Sequence, residues 1–402
     1  MELQSKECDL AIVGAGMTGA ACAWYAVRAG LRVAVLDRGG VAGGTTGAGE
    51  GNLLVSDKEP GPELDLALLS TRLWRELAED ADSGLGAGFG AQAEYEAKGG
   101  LVVAARPEGF AALDVFAEQQ RQAGVLADSV PAADLLRFEP HLSPDLSGGV
   151  HYPQDAQVQP ARAAALLLRE AKRQGATLHT GTTVTGLTRE RGGRINGLVT
   201  DRGVLHASWV LNAAGTWGGD IARLADVRLP VLPRRGFVLV TEPLPRLIRH
   251  KVYAADYVAD VASSSAALQT SAVVEGTAAG PVLIGASRER VGFDRDFSLE
   301  AARLLARHAV ELFPALARVN AMRSYLGFRP YLPDHLPAIG PDPRAPGLLH
   351  ACGHEGAGIG LAPATGHLLA QVLTGKTPDL DLTAFRPERF GTGVDEEDGA
   401  FA

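Results

Sequence analysis

The chain has little cysteine. Its 402 residues contain only Cys8, Cys22 and Cys352, and no two of them are spaced as C-x-x-C. That excludes a disulfide scaffold, a dithiol reductase and an iron–sulfur centre built by this chain alone. Positive charge is also short: 38 lysines and arginines stand against 47 aspartates and glutamates, a net charge of −9. A broad basic footprint for nucleic acid is therefore not expected. No uncharged apolar run reaches the roughly 18 residues of a membrane span. The opening MELQSKECD is too polar for a signal-peptide core, so the expected compartment is the cytoplasm. The closing EEDGAFA reads as a frayed acidic tail. No Ser–His–Asp arrangement and no metal-ligand spacing occurs, and no metal is expected. What the sequence has in excess is glycine, 49 residues in clusters. Clustered glycine points to backbone approaching something closely.

The first fifty residues organise that excess. Asp9 to Gly14 (DLAIVG) is a short apolar run suited to a buried parallel strand. GAGMTG follows, then AACAWYAVRAG at helical spacing, stopped by Gly30. Leu31 to Asp37 (LRVAVLD) is a second strand ending in an acid. This is the strand–turn–helix–strand context of a dinucleotide fingerprint. Gly14 allows the tight turn, Gly16 lets a pyrophosphate approach the backbone, and Gly19 lets the helix pack on the strand. The helix N-terminus offers free N–H groups to phosphate. Asp37 can accept ribose hydroxyls and disfavours a 2′-phosphate. The small Ala20, Ala21 and Ala23 read as packing residues. The motif alone does not choose between NAD and FAD. A second glycine- and hydroxyl-rich loop, Gly43 to Asn52 (GGTTGAGEGN), follows at once. It suits a diphosphate and a larger ring system; the alternative is a flexible surface loop.

Downstream, periodicity predicts helices over 64–77, 107–124, 161–174 and 299–313, and paired strands over 93–105 around Gly99–Gly100. Three further strands run from Thr177 to Gly215, the last ending in the small residues of VLNAAGTW (Val210 to Trp217). From Arg235 to Ser287 the pattern is β-rich around a polar insert, VADVASSSAALQT. The stretch from His350 to Leu373 reads strand, glycine-rich turn, helix. Dinucleotide elements thus fall at both ends and in the middle of the chain. The expected fold class is α/β, a Rossmann-type FAD-binding domain interleaved with an α+β substrate domain on an antiparallel sheet. The expected division is 1–84, 151–232 and 326–390 for the first, 85–150 and 233–325 for the second, and 391–402 as tail.

GAGMTG, LDRG, VLNAAGTW, GFRPYLPDHLPAIG and GHEGAGIGLAPATG together resemble the D-amino-acid-oxidase-type FAD oxidoreductases. The nearest branch is the glycine oxidase, sarcosine oxidase and D-hydroxyproline/proline dehydrogenase β-subunit group. GNLLVSDKEPGPELDLALLS resembles the dehydrogenase-type and hydrogen-cyanide-synthase-type members. The resemblance implies bound FAD. It places Met17 and Thr18 beside the pyrophosphate, and Asp37 and Arg38 at the ribose and adenine side. Thr45, Thr46, Glu50, Gly51, Asn52 and Leu53 fall on the loop approaching phosphate and isoalloxazine. Val184 falls at the adenine; Ala213, Ala214, Gly215 and Trp217 fall beneath the cofactor. Gly353, His354, Glu355, Gly356, Ala357, Gly358, Ile359 and Gly360 form the turn beside the flavin pyrimidine. Arg329 matches the arginine that pairs with a substrate carboxylate. Gly356 stands where glycine oxidase carries a second arginine. Gly327 stands where one type of sarcosine oxidase attaches FAD through cysteine, so noncovalent FAD is expected.

The expected chemistry is oxidation of the C–N bond of a small amino or imino acid, with O₂ or a partner redox protein as acceptor. The alternative is the β-subunit of a hetero-oligomeric dye-linked dehydrogenase, acting mainly in electron relay and assembly; homo- and hetero-oligomers both remain open. Arg329, in an apolar GFRP context, needs an anion: either a substrate carboxylate or Asp334. His354 reads as a base or as a residue of the flavin-lining turn. Tyr253 and Tyr257 read as a pocket roof or as strand packing. His335 faces either the site or solvent.

Overall fold

The computed structural model describes residues 7–79, 88–257 and 263–391. The acidic tail and the first part of the polar insert lie outside the described residues. Two eight-stranded sheets organise the rest. The first runs, in spatial order, Ala338–Pro341, Leu348–Cys352, Gly203–Asn212, Cys8–Val13, Val33–Asp37 and Thr177–Thr180, with Val184–Arg189 and Ile195–Thr200 as an antiparallel extension from Gly203–Asn212. Its central pairings are parallel: Leu10 lies opposite both Val33 and Trp209. Both faces are covered, which is why DLAIV carries no polar alternation. The helix Met17–Arg28 covers one face with Ala20, Ala21 and Ala23 wholly buried. It packs on the last long helix, Gly358–Leu373, at Gly366, where a Cβ would stand 2.7 Å from the Ala21 carbonyl carbon. Small residues on both helices permit that approach.

The second sheet runs Ala321–Tyr331, Leu232–Thr241, Val282–Arg288, Gln269–Gly276, Lys251–Ala254, Gly100–Ala104, Gly148–Tyr152 and Asp128–Pro131. All its pairs are antiparallel except Lys251–Ala254 with Gly100–Ala104. The helix Leu299–Leu312 buries Ala301, Leu305 and Ala309 against it. The strand Ala321–Tyr331 belongs wholly to this sheet, from Ala321 opposite Thr241 to Tyr331 opposite Leu232, so the expected boundary at 326 divides it. Gly148–Tyr152 likewise crosses the expected boundary at 150.

The expected hairpin over 93–105 does not form. Only Gly100–Ala104 is a strand, and its partners are distant in sequence; Glu96 makes an isolated bridge to Gln157. The reason is local. Gly99 has φ +75°, and a Cβ on Gly100 would lie 3.1 Å from the Asp155 carboxyl carbon. The glycine pair admits Asp155 instead of making a tight turn.

Asp155 is the centre of a buried polar knot that fixes residues 54–58 between the two sheets. It accepts the Val55 N–H at 2.8 Å and the Ser56 hydroxyl; Ser56 Oγ in turn accepts the Tyr253 hydroxyl at 2.5 Å. Gln120 donates to the Lys58 carbonyl at 2.8 Å and accepts Tyr152 Oη at 2.8 Å. Burial pushes the Asp155 carboxyl up to about 7. In the unfolded chain it titrates near 3.9. Between those values the unfolded chain has released a proton that the folded chain keeps, so stability falls as pH rises from about 4 to 7 and levels off above. Asp155→Asn removes this titration. The melting temperature of the natural protein relative to the variant is expected to fall from pH 5 to pH 7.5; parallel curves would contradict the assignment.

Candidate active site

A cavity of about 540 Å³ lies between the sheets. One end is built by the first fifty residues. Gly14 has φ +119°, and a Cβ there would collide with the Ala213 carbonyl; Gly19 is pressed against the Gly14 carbonyl. Gly14 lines the cavity and Gly19 does not. Gly16 caps the helix, and the Met17 N–H donates to Thr46 Oγ1 at 2.9 Å. The two glycine loops are thereby joined. The Asp37 carboxylate accepts the Ala15 and Gly39 N–H groups at 2.8 and 2.7 Å, which fixes it at the cavity wall with lone pairs to spare. The Arg38 guanidinium lies 4.1 Å over the Trp217 ring, which stacks on Phe293 at 5.4 Å. Thr18, Gly51, Val184, Ala213, Ala214 and Gly215 also face this space.

The middle is a junction. Thr45 and Thr216 both donate to the Phe328 carbonyl, at 2.6 and 2.8 Å, tying the loop 43–52 to the second sheet. Gly327 faces that loop so closely that a Cβ would stand 2.5 Å from the Ala48 Cβ. Leu53 is core, not wall. Ala357 and Gly360 likewise stand outside the lining; the Gly360 carbonyl is occupied by Ser70 Oγ at 2.5 Å and Trp74 Nε1 at 3.1 Å.

The far end collects Arg329, Tyr257, Glu50, Asn52, His354 and Glu355, with Gly353, Gly356, Gly358 and Ile359 of the turn. Arg329 donates to the Ser287 carbonyl at 2.8 Å, and among the described residues no carboxylate pairs with it. Asp334, the sequence-level candidate, is bound to Arg389 Nε at 2.6 Å. Burial and the nearby Arg288 push the Arg329 pKa down from its ordinary value. A partly desolvated guanidinium in this state can stabilise an incoming anion. Arg288 lies 5.0 Å over the Tyr257 ring, and Tyr257 meets Tyr253 edge-on at 5.0 Å. Tyr257 is wall; Tyr253 belongs to the Asp155 knot.

His354 is buried, with Nε2 3.0 Å from Thr365 Oγ1. The Thr365 hydroxyl proton is used on the Leu361 carbonyl, so Nε2 carries the imidazole proton. Burial pushes the ring down to about 4, leaving it neutral and weakly basic at pH 7. It holds the turn. Glu355 is hydrogen-bonded by Arg234 Nη1 and by His335 Nδ1 at 2.9 Å. Burial opposes its ionisation, but His335 and Arg234 hold its pKa below the ordinary value.

Sequence reasoning missed Gly236 and Arg288. A Cβ on Gly236 would collide with Arg329 Nη1, so glycine alone lets the guanidinium cross that strand. The available signal was a glycine inside the apolar strand RRGFVLV.

The model of the FAD-dependent oxidoreductase family DAO matches residues 9–372. The chain belongs to that family. Among DAO relatives, hydrogen cyanide synthase subunit HcnC of Pseudomonas aeruginosa is 32% identical, covering 96% of this chain and 97% of its own. Glycine oxidase of Geobacillus kaustophilus is 30% identical over 94% of this chain and 96% of its own. A crystal structure of glycine oxidase from the same organism superposes with a TM-score of 0.85 over 97% of this chain and all of the other. L-Proline dehydrogenase from P. horikoshii, at 23% identity, shares the fold with a TM-score of 0.85 over 96% of this chain and 98% of its own.

FAD is therefore the cofactor of this oxidoreductase, and the residues present fit it. The cavity runs from a helix N-terminus through a glycine cradle to a half-buried guanidinium that no carboxylate pairs with among the described residues. Glycines 14 and 236 stand where a Cβ would fill the space or displace a wall residue. No helix among the described residues is long and apolar enough to cross a membrane.

Asp37→Ala is expected to raise the FAD dissociation constant ten- to a hundredfold, since a hydrogen bond to a charged group contributes about 1.5–3 kcal/mol. Fluorescence titration of the apoprotein measures it; an unchanged constant places the ribose elsewhere.

Proposed function

We propose that this DAO-family oxidoreductase oxidises the C–N bond of a small amino or imino acid, and that Arg329 holds the substrate carboxylate. The observation that carries the reading is Arg329 itself: half-buried, at the cavity wall, and among the described residues hydrogen-bonded only to a backbone carbonyl. A planar guanidinium grips a carboxylate in a two-pronged fork, which fixes the orientation of the adjacent carbon. The glycine oxidase relative, by its name, acts on such a substrate.

When bound, FAD supplies a two-electron acceptor, leaving the protein to orient the substrate and exclude water. Arg329 anchors the carboxylate. Tyr257 and the Glu355–His335–Arg234 network close the wall around it. His354 is neutral at working pH and keeps the turn in place. The imine product hydrolyses in water after release. We further assign the first sheet to the cofactor domain and the second to the substrate domain, with FAD held noncovalently because Gly327 offers no sulfur. Acid precipitation is expected to leave all flavin in the supernatant; colour in the pellet would contradict noncovalent binding.

A second reading is a redox subunit working beside partner chains. It is favoured by full-length similarity to a protein named as a hydrogen cyanide synthase subunit. Turnover by the purified single chain separates the two readings.

Arg329→Lys keeps the charge and loses the fork. Flavin reduction by the best amino or imino acid is expected to slow at least tenfold, about 1.4 kcal/mol of transition-state stabilisation. Arg329→Ala is expected to be slower still, with normal FAD content. An amine without a carboxylate is expected to react at a rate that neither change alters. Anaerobic stopped-flow measures all three; wild-type rates in both variants would place the carboxylate elsewhere.

A further inference from the structure

We propose that Glu50 is a catalytic residue that receives the nitrogen of the substrate amine and takes its proton; this rests on the amino- or imino-acid reading above. Glu50 is 8% exposed and lines the cavity. Its Oε2 accepts Asn52 Nδ2 at 3.4 Å, while Oε1 is buried with no hydrogen-bond partner among the described residues. A buried carboxylate oxygen without a donor is costly, and a ligand N–H removes that cost.

Lys251 does not bond to Glu50 directly. Lys251 Nζ contacts Asn52 Oδ1 and pairs with Glu275 Oε2 at 2.8 Å. Glu275 is wholly buried and also faces Lys98 at 3.6 Å. Asn52 thus turns its carbonyl to Lys251 and its amide to Glu50, which holds the carboxylate in place at the cavity wall and leaves Oε1 without a donor beside Gly285.

The position of Oε1 selects the ligand atom. A Cβ on Gly285 would collide with Glu50 Oε1, as one on Gly236 would with Arg329 Nη1. These glycines stand on adjacent antiparallel strands, Val282–Arg288 and Leu232–Thr241. Glu50 and Arg329 both line the cavity, near enough that the charge of Glu50 favours the protonated guanidinium. An α-amino acid presents the complementary pair, a carboxylate and a nitrogen separated by one carbon.

In the step proposed, R–NH₃⁺ and the Glu50 carboxylate become R–NH₂ and the neutral Glu50 acid; one proton moves and no electrons do. The neutral amine then loses the C–H hydrogen with its electron pair to the bound FAD and becomes an iminium ion. The proton on Glu50 passes to water when product leaves. The titratable and charged groups around Glu50 are Arg329 and Tyr325 from Ala321–Tyr331, Lys251, Glu275 and Tyr257.

The test compares the holoenzyme with Glu50→Gln and Glu50→Asp. Glycine, sarcosine, D-alanine and both prolines are screened, and the fastest reductant of the wild type is used. At pH 7 the ratio of reduction rate constant to dissociation constant is expected to fall at least tenfold in Glu50→Gln. It is expected to recover about tenfold per pH unit toward the pKa of the free amine. Glu50→Asp, which keeps a carboxylate, is expected to retain the pH profile of the wild type at a lower rate. Acetate, which has no nitrogen, is expected to perturb the flavin spectrum in both wild type and Glu50→Gln and to bind the variant no more weakly, because the variant loses a negative charge near the anion site. FAD content is expected to be equal. A wild-type ratio in Glu50→Gln, or a loss of equal factor at every pH, overturns the proposal. Loss of FAD from Glu50→Gln overturns it by assigning the residue to the cofactor. Failure of every amino and imino acid to reduce the wild type overturns the reading beneath it instead.

Discussion

A half-buried guanidinium held at a cavity wall without a direct salt bridge among the described residues is the constraint around which this molecule is arranged. Arg329 reaches the cavity only because Gly236 leaves its strand bare at the crossing point. The strand that carries Arg329 is fixed to the cofactor loop because Thr45 and Thr216 share the Phe328 carbonyl. Two carboxylates at this end are engaged elsewhere, Asp334 with Arg389 and Glu355 with Arg234 and His335, while Glu50 shares the cavity wall with Arg329 and keeps one oxygen without a partner among the described residues.

The same economy of side chains appears along the whole cavity. Glycine loops and a helix N-terminus form the cofactor end, where backbone N–H groups serve a diphosphate better than side chains would. Bulky and charged residues are gathered at the other end. The two are joined by the hydrogen bonds from Thr45 and Thr216 to the Phe328 carbonyl. Behind the wall, the Asp155 knot fixes residues 54–58, and through them the end of the loop that carries Glu50 and Asn52.

Local signals in the sequence were sufficient for the cofactor end. DLAIVG, GAGMTG and LRVAVLD are contiguous, and each part has a task that depends on its neighbours in the chain. Asp37 was therefore legible as a wall residue before any long-range contact was known. At the substrate end Arg329, Tyr257, Glu50, Asn52, His354 and Glu355 were legible from motif position. Gly236 and Arg288 acquire meaning from contacts with residues far along the chain, Gly236 with Arg329 and Arg288 with Tyr257, which no local pattern encodes. Gly99–Gly100 misled for the opposite reason: a local turn signal was overridden by the need to admit Asp155. Ala357 and Gly360 were placed on the wall by motif position, yet the three-residue turn directs them away from it.

The proposed reaction needs the Arg329 guanidinium and the flavin to act together on one α-amino or imino acid. The most direct measurement is anaerobic bleaching of the flavin absorbance near neutral pH by matched compounds: α-amino and imino acids, the corresponding α-hydroxy acids, the corresponding decarboxylated amines, and glycerol 3-phosphate. The account predicts rapid bleaching by at least one amino or imino acid and far slower bleaching by its hydroxy and decarboxylated counterparts. Preferential bleaching by an α-hydroxy acid, a simple amine or glycerol 3-phosphate would contradict it.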